Sequence, residues 1–438
     1  VAGSRIARGG LRSLIFRVLA AGSDFLIVVV TARGFGADGR GLYALAAFSA
    51  SLALTALGGA AQSLAAEVAH NRTSLKRIYA AAAVLAGVGG VILGLGIAAF
   101  AALKWPEYAV LLFPAVAMPF LLAVEYELAL NQAEGLVRRM HYLHLARSAV
   151  PLVAIAIVAI VWPNHIYLAL AGWAIARVVV ALGALAFERR RVGLAFAGSG
   201  RLALQLARRG APVSLGNGIA RINYRIDLIV VAALLPLAQV GRYSVAIAFG
   251  EVLWLLSRAV MTGAYATIVS HPSDERSVAM TLRTFRHSVG LLTIASIVLL
   301  IIARALLVPV FGSAFRGVWI PLAFLLPGVI ALGAVEVVRE FFLVRIERSR
   351  EYLVMATVAT LVNLVVALAL VPFFGLAGAA LSTSVSYLGA AVYIISRFAR
   401  ITGATDLRSY VPGRAELADY RRLVTALRSR RVAPAANA

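Results

Sequence analysis

The sequence contains no cysteine. That removes disulfides, thiolate metal sites, cysteine nucleophiles and cysteine-held iron–sulfur clusters together. Lysine is almost absent, with only Lys76 and Lys104 against 40 arginines. Neither lysine follows a glycine, so there is no Walker-A loop and no ATP hydrolysis by that route. Charge as a whole is scarce: 14% of the 438 residues are Asp, Glu, Lys or Arg, where a soluble domain carries about 25%. Acids are scarcest, with 19 Asp and Glu against 42 Lys and Arg, for a formal net charge of +23.

Apolar residues fill the chain instead, at 62% of the sequence and a mean hydropathy of +0.90. A single globular core cannot hide that much apolar surface, which excludes a soluble enzyme. Intrinsic disorder is excluded as well. The positive surplus is read as membrane topology, not as a nucleic-acid footprint.

A membrane span needs roughly 20 apolar residues. Apolar runs and their polar breaks place twelve spans, at roughly 12–32, 41–66, 78–103, 109–130, 145–162, 165–187, 212–235, 240–269, 287–308, 318–344, 352–371 and 375–396. Eleven spans follow the first, which is therefore read as a span and not as a cleaved leader. With the N-terminus inside, 31 of the 42 Lys and Arg fall in cytoplasmic segments and six in outer loops. The remaining five, Arg177, Arg221, Arg225, Arg258 and Arg339, lie within spans. This bias predicts a multi-pass membrane protein with both termini cytoplasmic, and the Ala- and Arg-rich, Lys-poor usage points to a bacterial plasma (inner) membrane. The widest gap, 188–211, is a basic linker that separates an N-terminal bundle, 1–187, from a C-terminal bundle, 212–400. Arg201, Gln205 and Arg208 share a helical face there and read as a short helix on the anionic inner leaflet. The basic tail, 401–438, carries a second stripe at Leu417, Tyr420, Val424 and Leu427.

The two halves repeat one another. Asp24-Phe-Leu-Ile-Val-Val in span one answers Asp227-Leu-Ile-Val-Val in span seven. Gly41-Leu-Tyr43 opens span two as Gly241-Arg-Tyr243 opens span eight. Pro114 and Pro119 of span four match Pro321 and Pro327 of span ten, and Glu125 matches Glu336. Tyr142-Leu143 matches Tyr352-Leu353, and Leu170-Ala-Gly172 matches Leu376-Ala-Gly378. These ordered matches, 200 to 211 residues apart, predict parallel repeats related by an axis along the membrane normal. The expected fold is all-α and polytopic: twelve transmembrane helices in two six-helix bundles about a central cleft.

Several patterns here resemble the MOP flippase superfamily. They are the arginine-rich N-terminus running into span one, Gly-x-Tyr-x-x-Ala at the start of spans two and eight, and Asn223-Tyr-Arg225-Ile-Asp227 in span seven. Within that superfamily the chain looks most like the polysaccharide transporter branch, the Wzx-type flippases of envelope glycans. The resemblance implies a cavity lined by spans one, two, seven and eight. It implies a polyprenyl-linked glycan as substrate, the bilayer as environment, other polysaccharide-assembly proteins as further partners, and no cofactor.

Charges inside spans are costly and need a partner or a wet cavity. Asn217, Arg221 and Arg225 form one stripe on span seven if its helix is continuous, with Asn223 and Asp227 to the side. Arg221 lies roughly 13 Å into the span at 1.5 Å per residue. Two guanidiniums one turn apart can hold a phosphate bidentately. The alternative is that Arg225 pairs with Asp227 or Asp24 and only stabilises the bundle. Asp24 and Asp227 are candidates for ion coupling, as is Glu251, although Glu251 and Arg258 also suit an ion pair on span eight. Arg258 is the remaining candidate for substrate contact. Glu336, Arg339 and Glu340 read as a self-satisfied helix triplet, and Ser382, Ser384 and Ser386 as helix–helix hydrogen bonders. Glu125 and Glu127 have no adjacent arginine, and Arg177 is their candidate partner. His141-x-x-His144 has metal-like spacing but no carboxylate in register, so no metal site is expected.

The functional expectation is a flippase for a lipid-linked oligosaccharide, working by alternating access in cell-surface polysaccharide biosynthesis. A drug or cation antiporter of the MATE kind is the alternative. A membrane glycan polymerase or glycosyltransferase is disfavoured, because the outer loops are short and hold only two acids, Asp38 and Glu107.

Overall fold

The computed structural model describes residues 2–70, 73–103, 106, 108–270, 274–342, 349–413, 416 and 418. The tail stripe Leu417, Tyr420, Val424 and Leu427 lies outside the described residues. What is described is helical nearly throughout, with no strand among those residues.

Nine helices are long and apolar enough to cross a membrane among the described residues. Two of them each hold two expected spans. Helix Ala2–His70 carries spans one and two and bends at Gly36, whose φ of 68° and ψ of −169° leave the helical region. Helix Ser349–Thr402 carries spans eleven and twelve and bends likewise at Gly375, with φ 55° and ψ −130°. Both sites need the left-handed side of backbone space, which only glycine enters without strain. Spans three to six are Leu75–Leu103, Ala109–Ala133, Val137–Val161 and Ile166–Arg191. Spans eight, nine and ten lie in Leu237–Ser270, Asp274–Leu306 and Trp319–Glu340.

Span seven is missing from those nine, and it is the one the sequence treats as continuous. It is broken into Ser199–Asn223 and Ile226–Leu234, with Tyr224 and Arg225 between them. The expected linker helix is the start of the first piece. Arg201, Gln205 and Arg208 are exposed there, while Ala203 and Leu206 are buried in a core with Leu64, Tyr79 and Leu130.

By contact the chain divides into Val1–Ala248 with Leu306–Val318, and Phe249–Ala305 with Trp319–Ala438. In the first unit, spans two and seven run antiparallel with little between their backbones. The Gly59 amide donates to Ser214 Oγ at 2.9 Å, and a Cβ on Gly210 would meet the Ala60 nitrogen at 2.5 Å. At the other end of span two, a Cβ on Gly241 would lie 2.9 Å from the Gly41 nitrogen and inside the shell of the Ala37 carbonyl. The paired glycines of the two Gly-x-Tyr motifs therefore pack against each other. Small residues let helix backbones approach in this way where no water drives association.

In the second unit, serines tie the helices. Ser384 Oγ donates to the Phe324 carbonyl at 2.5 Å, Ser386 Oγ to the Ala359 carbonyl at 2.6 Å, and Ser382 Oγ to Asn363 Oδ1 at 3.0 Å. Ser257 Oγ donates to the Gly333 carbonyl at 2.5 Å. Outward faces carry isolated large apolar side chains, such as Leu103, Ile160 and Phe373, each more than four-fifths exposed. Such surface suits lipid, not water.

Candidate functional site

The break in span seven is the most distinctive local feature of the first unit. The segment leading to it holds Gly210, Pro212, Gly216 and Gly218 and ends in Arg221, Asn223 and Arg225, so little in it favours an apolar membrane helix. The helix stops at Asn223, and Arg225 adopts φ −142° and ψ 8°. The stripe of Asn217, Arg221 and Arg225 expected on one continuous face is therefore corrected. Asn217 is exposed; Arg221, in the last turn of the first piece, and Arg225, at the head of the second, are half-buried. Arg221 lies just before the interruption and Arg225 within it, so the two do not follow one another on a continuous helix. Irregular backbone at membrane depth is tolerated only where protein covers it or it lines a cavity.

Asp227 stabilises the restart. It sits in the first turn of Ile226–Leu234, where a negative charge complements the helix dipole. Its Oδ1 accepts from the Leu228 amide at 2.8 Å, and its Oδ2 accepts from the Tyr243 hydroxyl at 2.6 Å. Asp227 is 2% exposed. Asn223 is buried too, and its Oδ1 has no hydrogen-bond partner.

Asp24, the equivalent residue of the first half, is placed differently. It is exposed within span one and lies in electrostatic reach of Tyr43 and Arg177. The two repeat aspartates thus differ in burial, Asp24 exposed and Asp227 buried. Arg177 reaches this place from span six. It donates to the Arg147 carbonyl at 2.6 Å and stacks over Trp173 at 5.3 Å. It is not the hydrogen-bond partner of Glu125; Arg147 of span five takes that acid at 2.5 Å. Pairing across helices depends on which faces meet, so neighbours in sequence could not reveal it.

Arg40 is a buried cation near this region that sequence reasoning missed. Counted there as an outer-loop charge, it is only 6% exposed. Its Nε donates to Ser244 Oγ at 2.9 Å, its Nη1 to Thr31 Oγ1 at 3.2 Å, and its guanidinium lies over the Tyr43 ring at 5.4 Å. It thereby joins spans one, two and eight beside the Gly41–Gly241 contact. Its place next to the Gly-x-Tyr motif was the available signal.

Glu251 is half-buried and Arg258 exposed, both in the second unit on helix Leu237–Ser270. Arg258 lies in electrostatic reach of Glu336. The Glu336, Arg339, Glu340 triplet forms as read, at 2.5 and 2.8 Å. His141 stacks on Phe16 at 5.5 Å between ring centres.

Chemically, the first unit offers arginines at a broken helix, an exposed aspartate and a glycine-packed seam. Such groups can hold a charged ligand at membrane depth. The same fold occurs in a lipid II flippase, MurJ, in an inward closed conformation, with a TM-score of 0.69, 15% identity, and coverage of 90% of this chain and 87% of that one. An inward-facing multidrug resistance MATE transporter of the MOP superfamily matches at 0.66, with 16% identity and coverage of 90% and 96%. The Vibrio cholerae MATE transporter VcmN, in its bent form, matches at 0.57, with 13% identity and coverage of 93% and 99%. No curated protein matches the sequence. A family model described as polysaccharide biosynthesis protein matches residues 6–264, more than half the chain and all of spans one to seven. The chain belongs to that polysaccharide biosynthesis family and has the fold of the MOP-superfamily membrane transporters.

Proposed function

We propose that the protein moves a polyprenyl-pyrophosphate-linked oligosaccharide from the inner to the outer leaflet of a bacterial plasma membrane. In this reading two six-span bundles, residues 1–187 and 212–400, alternate access to the substrate, and both termini are cytoplasmic. The observation that carries the reading is the interruption of span seven, with Arg221 just before it and Arg225 within it. Broken helices in transporters present backbone and side-chain charge to a substrate at membrane depth. Guanidinium groups stay charged there and match the oxygens of a phosphate. Asn217 and Asn223 supply further polar contacts at the break, and Arg258 adds a cation on span eight. Asp24, exposed on span one, and Asp227, buried on span seven, are the coupling-ion candidates of the two halves.

A MATE-like cation antiporter is the second reading, favoured by the exposed carboxylate of Asp24. The two separate by ligand. Purified protein titrated with a short-chain polyprenyl pyrophosphate should be stabilised against heat. An Arg221→Ala/Arg225→Ala variant should lose that stabilisation, and Arg→Lys variants should recover only part of it. Stabilisation by organic cations, abolished by Asp24→Asn and absent with the pyrophosphate, would select the antiporter.

A further inference from the structure

One stretch of the first unit presents only positive charge. No Asp or Glu occurs from 189 to 226, while six arginines fall between 189 and 209. The acid that precedes the stretch, Glu188, is buried and paired with Arg139 and Arg191. Glu67, at the end of span two, is held by Thr73 and Arg209. Arg201 and Arg208 are exposed, and among the described residues neither meets an acid.

The fold brings two more cations beside them. After span six the chain crosses the start of span three, where the Ala195 amide donates to the Lys76 carbonyl at 3.2 Å. A Cβ on Gly193 would lie 3.8 Å from Lys76 Cε, and one on Gly198 would lie 3.0 Å from Arg77 Nη2. Lys76 and Arg77 are exposed, and Gly198 leads directly into the helix Ser199–Asn223 that carries Arg201 and Arg208.

Exposed apolar side chains lie among these cations. Phe196 is 56% exposed and Leu204 is 52% exposed. Leu204 shares its helical face with Arg201, Gln205 and Arg208. The opposite face is fixed, because Ala203 and Leu206 pack in a core with Leu64 and Tyr79, so this face cannot turn inward to hide Leu204. The same helix runs on into span seven. Arg208 precedes the expected start of that span at 212 by four residues, about 6 Å at 1.5 Å per residue, which is the headgroup layer of a bilayer. Cations interleaved with apolar side chains at that depth match an anionic lipid surface, which answers both the charge and the apolar contact.

We propose that Lys76, Arg77, Arg201 and Arg208 form a seat for an anionic phospholipid of the inner leaflet, with Phe196 and Leu204 against its acyl chains. The guanidiniums donate to the phosphate oxygens, and Lys76 adds a point charge. The lipid anchors the helix that ends at the break in span seven. The inference rests on the membrane orientation proposed above and not on Arg221 and Arg225.

The test is native mass spectrometry of the full-length protein, released from detergent with equimolar dioleoylphosphatidylglycerol and dioleoylphosphatidylcholine, which counts the lipids retained. Wild type should retain phosphatidylglycerol in excess. A cation near an anionic surface is worth roughly a factor of five in affinity, so Arg201→Gln should cut the excess by about that factor and Arg201→Gln/Arg208→Gln by more. Arg400→Gln/Arg408→Gln, an equal loss of charge from exposed arginines of the second unit, should keep it. Equal retention of the two lipids by wild type overturns the proposal, a result that needs no variant. So does an unchanged excess in the folded Arg201→Gln/Arg208→Gln variant, or an equal fall in the control pair. The Arg221→Ala/Arg225→Ala variant should keep the phosphatidylglycerol excess, which separates this seat from the transport reading. Retention of a polyprenyl pyrophosphate through Arg201 and Arg208, with no preference for phosphatidylglycerol, would make the substrate the occupant and overturn the proposal.

Discussion

Substituting Gly241 by alanine tests the seam on which spans two and eight meet. The new Cβ would fall inside the shell of the Ala37 carbonyl and 2.9 Å from the Gly41 nitrogen. Both are backbone atoms, so no side-chain rotation relieves the clash, and span eight must move away from span two. That shift also loosens the Arg40–Ser244 hydrogen bond, three residues along at 2.9 Å. Overpacking a tight contact costs about 1–3 kcal/mol, and the lost bond to a charged donor adds about 1.5–3 kcal/mol if it breaks fully. The combined loss is on the order of 3 kcal/mol. Equilibrium unfolding of the purified protein by a denaturing detergent measures it directly. Gly58→Ala is the control: it lies on span two, the other side of the seam, and its Cβ would meet nothing within 4 Å. There, alanine should be neutral or stabilising by up to about 1 kcal/mol, the helix-propensity difference. Equal midpoints for Gly241→Ala and Gly58→Ala would refute the packing argument.

Tyr243→Phe should destabilise by about 1–3 kcal/mol, because it removes a donor from the buried Asp227 carboxylate; a detergent-unfolding midpoint within error of wild type would contradict this. Arg147→Ala should lower the midpoint in the same assay, since it leaves Glu125 of span four without its ion-pair partner; an unchanged midpoint would contradict this. Glu134 lies just past span four; its partial burial opposes ionisation, but hydrogen bonds from Arg191 and Tyr79 prevail and hold it below the usual carboxylate range. Its contribution is therefore present above the unfolded carboxyl range and lost as pH falls through the folded value, so acidification should lower the wild-type midpoint more than that of Glu134→Gln.

Much of the fold was legible because a span announces itself by length. Spans one and two read as two runs because the helix breaks at Gly36, where the glycine-rich 34–41 stretch also thins the apolar signal. Span seven was placed at 212–235 by its apolar run, and the repeat of Asp24 at Asp227 agrees with that place, although as a broken helix it is not among the nine that are long and apolar enough to cross a membrane. The break at Tyr224 and Arg225 was hidden, because helical periodicity presumes continuity and nothing in it marks where polar side chains outweigh propagation. Arg40 read as a loop charge for a related reason: hydropathy sets it outside a span, whereas the close glycine packing draws it into the seam. The Arg147–Glu125 pair was equally out of reach, because it depends on how spans four and five are rotated toward each other. The serines of span twelve were legible since small hydroxyl side chains in lipid have few other uses than bridging helices.

The central claim is that Arg221 and Arg225, at the break in span seven, engage the pyrophosphate of a lipid-linked glycan during its movement across the membrane. The most direct measurement is the initial rate at which a labelled polyprenyl-pyrophosphate-linked sugar becomes accessible on the far side of vesicles reconstituted with pure protein. Wild type should translocate it, Arg221→Lys and Arg225→Lys should be impaired, and the Arg221→Ala/Arg225→Ala variant should fall to the rate of protein-free vesicles at equal insertion. A wild-type rate from the double alanine variant, in correctly folded protein, would contradict the account.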